Sequence, residues 1–284
     1  MIVRLGMRFE TRSRTAVSDW RPLVCAVIMM AGCGVGGRGG GDARDSAAVA
    51  VDTTAASAAK AAVPYVAADS SVPLSGSVAV TVAVGDSVPD DTTVFPIRDF
   101  DTCGSQLTDN SIELEGRLLA GTITWLTNVA RGKELPVRRR YEILHQRCLL
   151  WPRVQAVAVG GTVNIRNMDG AVHVLRFTDV GSGEVVARVT QSQRGQVVPN
   201  EYMLANPRVL EVTCESHPFT KAWIHVFGHP YFAVTDRSGN AVMDSVPPGS
   251  YQMVTWHERL GERRDSVTVT PGTRARSSIV LERK

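Results

Sequence analysis

This sequence of 284 residues lacks the residue patterns that form long helices. Helix-forming residues do not recur at helical spacing, whereas Val, Thr, Gly and Pro dominate in short runs that alternate apolar and polar residues. Such alternation is typical of strands with one buried face, and turn residues separate the runs. The sequence therefore predicts an all-β protein whose short strands form a sandwich or a Greek-key barrel.

An excess of charge is missing as well. The first 32 residues hold five arginines against one Glu and one Asp, and the remainder of the chain carries no net charge. A nucleic-acid-binding surface needs a basic patch, and the short run of arginines at 138–140 is better explained as a solvated strand edge or turn. Nucleic acid is therefore not among the expected partners.

Motifs for catalysis are absent too. The sequence contains no catalytic-triad, phosphate-loop or paired-carboxylate motif. Its five cysteines form no CxxC pair, which argues against a structural zinc ribbon. We therefore do not expect an enzyme.

Residues 1–33 are predicted to be an export signal. Arginines precede an apolar stretch at 22–31, which is too short to span a bilayer as a helix. The stretch leads into Met30-Ala31-Gly32-Cys33, which resembles the lipobox of bacterial lipoproteins. This predicts a lipid anchor on Cys33 and a place in the bacterial cell envelope, periplasmic or on the outer surface. The alternative is an ordinary signal peptide with an incidental cysteine.

Residues 34–95 are predicted to be a disordered linker. A glycine-rich start is followed by Ala, Ser, Thr, Val and Asp, with Tyr65 as the only aromatic residue before Phe95. Such a composition buries little apolar area. Residues 78–84 alternate and could form a strand, but glycines bracket them without aromatic support. The folded part is therefore expected to begin near Phe95.

The stretch around Cys214 carries the chemistry predicted for this chain. An alternating strand at 209–213 delivers Cys214, a tight loop places His217 beside it, and a second strand at 222–226 follows. A thiol and an imidazole on one loop are half of a blue-copper site, which takes two His and one Cys with a weak fourth ligand. A second His must therefore come from elsewhere in the sheet.

Two segments resemble the amicyanin-like cupredoxins. The run Cys-x₂-His-Pro-Phe at 214–219 resembles their ligand loop, and Asn167-x₅-His173 resembles the strand end that carries their first copper His. The resemblance implies one mononuclear type 1 copper site held by His173, Cys214 and His217. Asn167 is then the candidate for orienting the ligand imidazoles through hydrogen bonds.

The chain departs from the cupredoxin pattern at the axial ligand. A Met follows the Phe in the family, whereas this chain has Thr220, which cannot replace a thioether. The fourth position could stay open or take a backbone carbonyl such as that of Val172, and a raised redox potential is then expected. Tetrahedral zinc is the alternative metal. The methionines at 168, 203 and 253 are expected in the core.

A longer resemblance covers residues 103–284, and the segments that carry it are 103–104, 146–152, the ligand loop, 229–236, 246–249 and 256–261. It is to bacterial methylamine-utilisation-like proteins, which join a cupredoxin to a carboxypeptidase-regulatory-like, transthyretin-like β domain. It implies a cupredoxin-like sandwich at 96–228 and a small β-sandwich at 229–284. The latter is near the lower size limit for independent folding, so it is expected to pack on earlier strands or to complete its sheets with them.

The other cysteines and histidines have structural expectations. An exported chain permits a disulfide between Cys103 and Cys148, and a free thiol would threaten the copper thiolate. Two separate buried thiols are the alternative. We expect His145 at the surface, His225 as a structural strand residue, and His257 in packing near a turn.

Together these patterns predict an envelope-anchored blue-copper protein that transfers electrons. The resemblance implies a redox partner such as a cytochrome c or a dehydrogenase, reached through the ring of His217. A copper-free β-sandwich lipoprotein that binds a protein or glycan is one alternative, favoured by Thr220. A copper carrier that delivers the metal is the other.

Overall fold

The computed structural model describes residues 64–69, 71–88, 90, 92–136 and 139–282. The predicted export signal, with Cys33, and residues 34–63 of the predicted linker lie outside them. Regular structure in the described residues is nearly all β, which confirms the predicted fold class. The helical segments are an α-helix at Phe100–Cys103 (α1) and a 3₁₀ turn at Tyr202–Leu204. Neither has the length or apolar character needed to cross a bilayer.

The described strands fall into three groups along the chain. The first group comprises β1 (Val66–Ala67), β2 (Gly76–Val84), β3 (Thr93–Val94), β4 (Leu107–Thr108), β5 (Leu114–Glu115), β6 (Leu118–Leu119), β7 (Ile123–Thr127) and β8 (Arg131–Gly132). The middle group comprises β9 (Arg140–Gln146), β10 (Leu149–Trp151), β11 (Val154–Ala158), β12 (Thr162–Asn167), β13 (His173–Asp179), β14 (Val185–Gln191), β15 (Val197–Asn200), β16 (Arg208–Cys214) and β17 (Lys221–Phe227). The last group comprises β18 (Phe232–Val234), β19 (Asn240–Val246), β20 (Gly249–His257), β21 (Gly261–Val269) and β22 (Arg274–Leu281).

The middle group forms a sandwich from its own strands, which we call the inserted sandwich (β9–β17). One sheet has the order β10-β9-β12-β15 and the other β11-β17-β16-β13-β14. Alternate residues face inward, so that Leu175 and Phe177 of β13 and Leu210 and Val212 of β16 are fully buried in one cluster. Removing this apolar surface from water holds the two sheets together.

The first and last groups build a second sandwich, which we call the split sandwich (β2, β5–β7 and β18–β22). One sheet has the order β18-β7-β20-β21, and the other has the order β19-β2-β6-β5 with β22 also paired to β2. Strands β18–β22 therefore complete their sheets with strands that precede residue 128, which is one of the two arrangements expected for this segment. In sequence order, the strands of the inserted sandwich therefore lie between β7 and β18 of the split sandwich.

Strand β2 corrects the predicted linker. It pairs in parallel with β22 from Ser77 to Val84 and antiparallel with β19. Its valines at 78, 80 and 82 are at most 1% exposed. The prediction of disorder is wrong for residues 76–84, and regular structure begins before the predicted start of folding near Phe95. The valine at every second position supplies the buried face that aromatic residues were expected to supply.

A disulfide fixes the helix α1 beside the inserted sandwich. Cys103 and Cys148 are bonded, which confirms the predicted pair. Both are fully buried and pack with Leu107 and Phe219. Because Cys148 lies in the β9–β10 turn and Phe219 in the loop after β16, the disulfide holds α1 against both segments.

Candidate metal centre

The three predicted copper ligands meet at one end of the inserted sandwich. Cys214 Sγ lies 3.8 Å from His173 Nδ1 and 3.7 Å from His217 Nδ1, and the two Nδ1 atoms are 3.1 Å apart. All three side chains are at most 1% exposed. The structure thus brings together one sulfur and two imidazole nitrogens that are separated by up to 44 residues in the chain.

Strand pairing explains why these residues converge. His173 begins β13 and Cys214 ends β16, and the two strands pair so that Leu175 lies opposite Cys214. The loop after Cys214 closes on itself, since Thr220 N donates to the His217 carbonyl at 2.9 Å. The loop is also tied to β13, because Glu215 N donates to the Val174 carbonyl at 2.8 Å.

The arrangement fits a metal ion. From the three separations, an ion at the centre of the triangle would lie about 2 Å from each donor atom, which is the range of metal–nitrogen and metal–thiolate bonds. One thiolate and two imidazoles in a trigonal set are the donors that copper prefers in electron-transfer sites. His173, Cys214 and His217 are therefore arranged so that they could hold a metal ion.

A buried carboxylate orients His173. Asp169 Oδ2 lies 3.1 Å from His173 Nε2, and the Asp169 side chain is 5% exposed. The same carboxylate accepts hydrogen bonds from the backbone N–H groups of Arg147 at 2.7 Å and Cys148 at 2.8 Å. With Nε2–H donated to Asp169, the lone pair of His173 is on Nδ1, which faces Cys214.

Asn167 hydrogen-bonds to the backbone of the turn that carries Asp169 rather than to a ligand ring. Its Oδ1 accepts from Asp169 N at 2.8 Å, and its Nδ2 donates to the Ala171 carbonyl at 3.2 Å. Asn167 therefore shapes the turn between β12 and β13, and Asp169 makes the contact with His173 that was predicted for Asn167. A carboxylate in an Asn- and Gly-rich turn just before a candidate His was the signal for Asp169.

A second carboxylate covers His217. Asp99 Oδ2 lies 3.1 Å from His217 Nε2, and the Asp99 side chain is 38% exposed. Asp99 has φ = 53° and begins α1, which the disulfide holds in place. The expectation that the ring of His217 faces outward is corrected: the ring is 1% exposed, and the carboxylate of Asp99 occupies the position toward solvent.

The electrostatics of the centre favour a thiolate. Burial raises the pKa of the Cys214 thiol, but hydrogen bonds from His173, His217 and the backbone outweigh it and lower the pKa to about 6. Burial lowers the pKa of His173, and its hydrogen bonds to Asp169 and Cys214 raise it above the ordinary value. The form of cysteine that binds metals is therefore accessible at neutral pH.

Thr220, which stands where the cupredoxin pattern has a Met, makes a structural hydrogen bond. It is fully buried, and its hydroxyl donates to the backbone carbonyl of Cys148. It therefore links the ligand loop to the disulfide. Met203 and Met253 lie in the cores of the inserted and split sandwiches, as expected.

His145 is a site residue that the sequence analysis missed. It was expected at the surface, but it is fully buried, and its ring stacks on that of His173 with 3.4 Å between centroids. Burial and the neighbouring His173 hold the pKa of His145 well below its ordinary value. In β9 it shares a face with the buried Ile143, and this two-residue spacing was the available signal.

Comparison with known proteins gives partial matches. A family model described as "Polysaccharide lyase family 4, domain II" matches residues 223–277. No curated protein matches the chain. Among solved structures, a Cu-containing nitrite reductase from Thermus scotoductus SA-01 is 21% identical over 34% of this chain, with a TM-score of 0.27. That alignment spans 23% of the reductase, so the chain covers about a quarter of its length.

Two smaller copper proteins give similar values. A Cu(I) form of a mutant amicyanin is 19% identical, with 31% of this chain and 82% of that chain covered and a TM-score of 0.27. A purple cupredoxin from Nitrosopumilus maritimus is 20% identical, with 31% and 99% covered and a TM-score of 0.26. The chain is thus similar over about a third of its length to cupredoxins, and it carries a buried His and Cys group that can bind a metal ion.

Proposed function

We propose that this chain is a mononuclear copper protein that transfers electrons. The observation that carries the proposal is the buried triangle of Cys214 Sγ, His173 Nδ1 and His217 Nδ1, with sides of 3.1–3.8 Å. The chemistry that bound copper supplies is a one-electron change between Cu(I) and Cu(II).

The residues around the triangle support fast electron transfer because they hold the donors in place. Asp169 fixes the ring of His173, and Asp99 fixes the ring of His217, each with a contact of 3.1 Å. Cys214 is held at the end of β16 by its strand neighbours. Donors that are positioned before the metal binds need little movement when the charge of the site changes.

Exposed apolar residues lie close in sequence to Asp99 and His173, and they support a contact with a partner protein. Phe95, Ile97 and Phe100 flank Asp99 and are 56–78% exposed, and Val172, just before His173, is 50% exposed. Exposed apolar residues around a functional group are typical of protein contacts. We propose that a redox protein such as a cytochrome c or a dehydrogenase docks here, next to the carboxylate of Asp99.

The location in the cell is part of the proposal. The disulfide between Cys103 and Cys148 supports an oxidising compartment outside the cytoplasm. We propose that a lipid on Cys33 anchors the chain in the bacterial cell envelope. In this role the protein carries electrons and is not an enzyme.

The test is a titration of the full chain with Cu(II), followed by visible absorption and metal analysis. We expect one copper per chain and an intense thiolate-to-copper absorption that Cys214→Ser removes. His229→Gln is the control, because His229 is not one of the proposed ligands. It lies in the segment between β17 and β18, where its Nδ1 accepts a hydrogen bond from Tyr231 N. A colourless protein without copper would leave a copper-free binding lipoprotein as the explanation. Quantitative transfer of copper to an apo acceptor would instead favour a copper carrier.

A further inference from the structure

We infer that the disulfide between Cys103 and Cys148 is a redox latch on the metal centre. When it is closed, it holds the carboxylate of Asp99 against the ring of His217. When a dithiol reductant opens it, this carboxylate leaves the ring and metal binding weakens. The inference rests on the proposed copper-binding function and adds a regulation of the same site.

Cys148 is the fixed end of this latch, because its backbone is bonded on both sides. Its N–H donates to Asp169 Oδ2 at 2.8 Å, and its carbonyl accepts from the hydroxyl of Thr220. Both contacts use the backbone and do not depend on the sulfur. When the S–S bond breaks, Cys148 therefore stays in the β9–β10 turn, and Asp169 keeps its contact with His173.

Cys103 is the movable end, and it carries Asp99 with it. Among the residues of α1, Cys103 alone is buried. Its N–H donates to the Asp99 carbonyl at 2.8 Å, so the two residues belong to one helical turn. The carboxylate of Asp99 lies 3.1 Å from His217 Nε2. One turn of backbone therefore links the disulfide to the group that orients this ligand ring.

The contacts of the described residues leave the loop that contains α1 dependent on the disulfide. This α1 loop, residues 95–106, connects β3 and β4, which pair over only two residues each. Phe95, Ile97 and Phe100 are 56–78% exposed, so their side chains do not anchor the loop in a core. A single helical turn is unstable by itself, because its nucleation is unfavourable. Without the disulfide, the middle of the α1 loop should therefore detach.

The disulfide also lies directly beside the ligand ring. The sulfurs of Cys103 and Cys148 and one ring nitrogen of His217 lie within 4.8 Å of one another. Phe219 of the ligand loop packs against the two cysteines, and its ring centroid is 5.8 Å from that of His217. Opening the disulfide therefore changes the packing on the ring as well as its hydrogen bond.

The opening step is a thiol–disulfide exchange with a protein or small molecule that carries two thiols. The bond between the two sulfurs breaks, Cys103 and Cys148 each end with one S–H, and the dithiol becomes a disulfide. Two electrons and two protons thus pass from the dithiol to the chain, and exchange with an oxidised dithiol reverses the step. Because both cysteines are buried, a local opening has to precede the attack.

The first test compares copper affinities by competition with a chromophoric chelator. The double variant Cys103→Ser/Cys148→Ser of the full chain cannot close the latch. It should bind copper about 10–100-fold more weakly than the unaltered chain, which is the range for losing a group that orients a ligating His. Val80→Ala is the control, because it weakens the core of the split sandwich and should leave the copper affinity unchanged.

A third variant separates the latch from a general loss of stability. Asp99→Ala in the chain with its disulfide should weaken copper binding by a similar factor. Combining it with the double variant should weaken binding little further, because both changes remove the same contact with His217. Losses that multiply in the combined variant would show that the disulfide does not act through Asp99, and would overturn the inference.

The second test uses the metal-free full chain and dithiothreitol. We expect two additional reactive thiols under folding conditions and faster hydrogen exchange of residues 95–106, with unchanged exchange of β17. A disulfide that stays closed until the protein unfolds, or unchanged exchange of the α1 loop, would overturn the inference. If the double variant does not fold, the unaltered chain, reduced and then freed of dithiothreitol without oxygen, takes its place in the competition.

The outcomes separate this inference from the proposed function. Equal copper affinity with and without the disulfide would overturn the latch and leave the copper protein intact. Failure of the unaltered chain to bind copper would overturn the proposed function and the role of the latch in metal binding. The metal-free measurements would still show whether the disulfide holds the α1 loop.

Discussion

Replacement of Asp169 by Asn tests whether the buried carboxylate sets the metal affinity. Asp169 accepts from two backbone N–H groups and contacts His173 Nε2 at 3.1 Å. Asp169→Asn keeps the shape, but its NH₂ group faces either the backbone N–H of Arg147 or both the backbone N–H of Cys148 and the Nε2–H of His173. The ring of His173 loses its contact in the second orientation, and in the first it keeps only a neutral amide oxygen in place of a carboxylate.

The expected magnitude follows from this lost contact. Removing the group that orients a ligating His costs about 10–100-fold in metal affinity, or about 1.4–2.7 kcal/mol. The metal-free protein should also lose about 1–3 kcal/mol of unfolding free energy, because a buried donor is left unpaired. Both effects should appear in the same variant.

The assay is competition for copper against a chromophoric chelator, with urea denaturation of the metal-free protein in parallel. Asp179→Asn is the control, because Asp179 also accepts a backbone N–H but ends β13, at the opposite end from His173. A folded Asp169→Asn protein with a copper affinity within about threefold of the unaltered chain would refute the reasoning, since this is well below the tenfold expected.

Three further predictions concern stability. Burial lowers the pKa of His225 and, with help from nearby arginines, that of His257 to about 4. As pH falls from 6.5 toward 4, these two histidines therefore bind protons in the unfolded chain but stay neutral in the folded chain. Unfolding free energy measured in urea should drop over this window by up to about 3 kcal/mol per histidine, and pH-independent stability there would contradict the assignment. Replacing Cys103 and Cys148 by Ala opens a loop of 45 residues, which should cost about 4 kcal/mol by loop entropy; a loss below about 1 kcal/mol would argue against it. Val80→Asp places a charge in the split-sandwich core, so thermal unfolding should show a loss of about 3–5 kcal/mol, whereas a disordered linker would show none.

The ligand loop and His173 were predictable because their signals are local. Cys214 and His217 lie three residues apart between two alternating strands, and His173 restarts a strand after a recognisable turn. Strand pairing then brings β13 and β16 together without further information. Local patterning therefore marked Cys214 and His217, and the resemblance to the cupredoxin ligand motifs singled out His173 as the second His.

The surroundings of the site were not predictable in the same way. Asp99 reaches His217 across 118 residues of sequence, and no local pattern marks it. His145 looked like a surface residue because it lies close to Arg147 at the end of a strand, and only its parity with Ile143 places it inside. Strand β2 was missed because its composition resembles a linker and its partner β22 comes nearly at the end of the described chain.

The pairing of β2 with β22 has a consequence for synthesis. A ribosome makes β2 long before β22, so the backbone edge of β2 that pairs with β22 stays unpaired until residue 281 has emerged. The inserted sandwich, by contrast, has all its own strands once residue 227 is made. The domain that carries the candidate copper ligands can therefore fold first. Until then β2 is open to mispairing between chains, since an unpaired apolar strand is a template for aggregation.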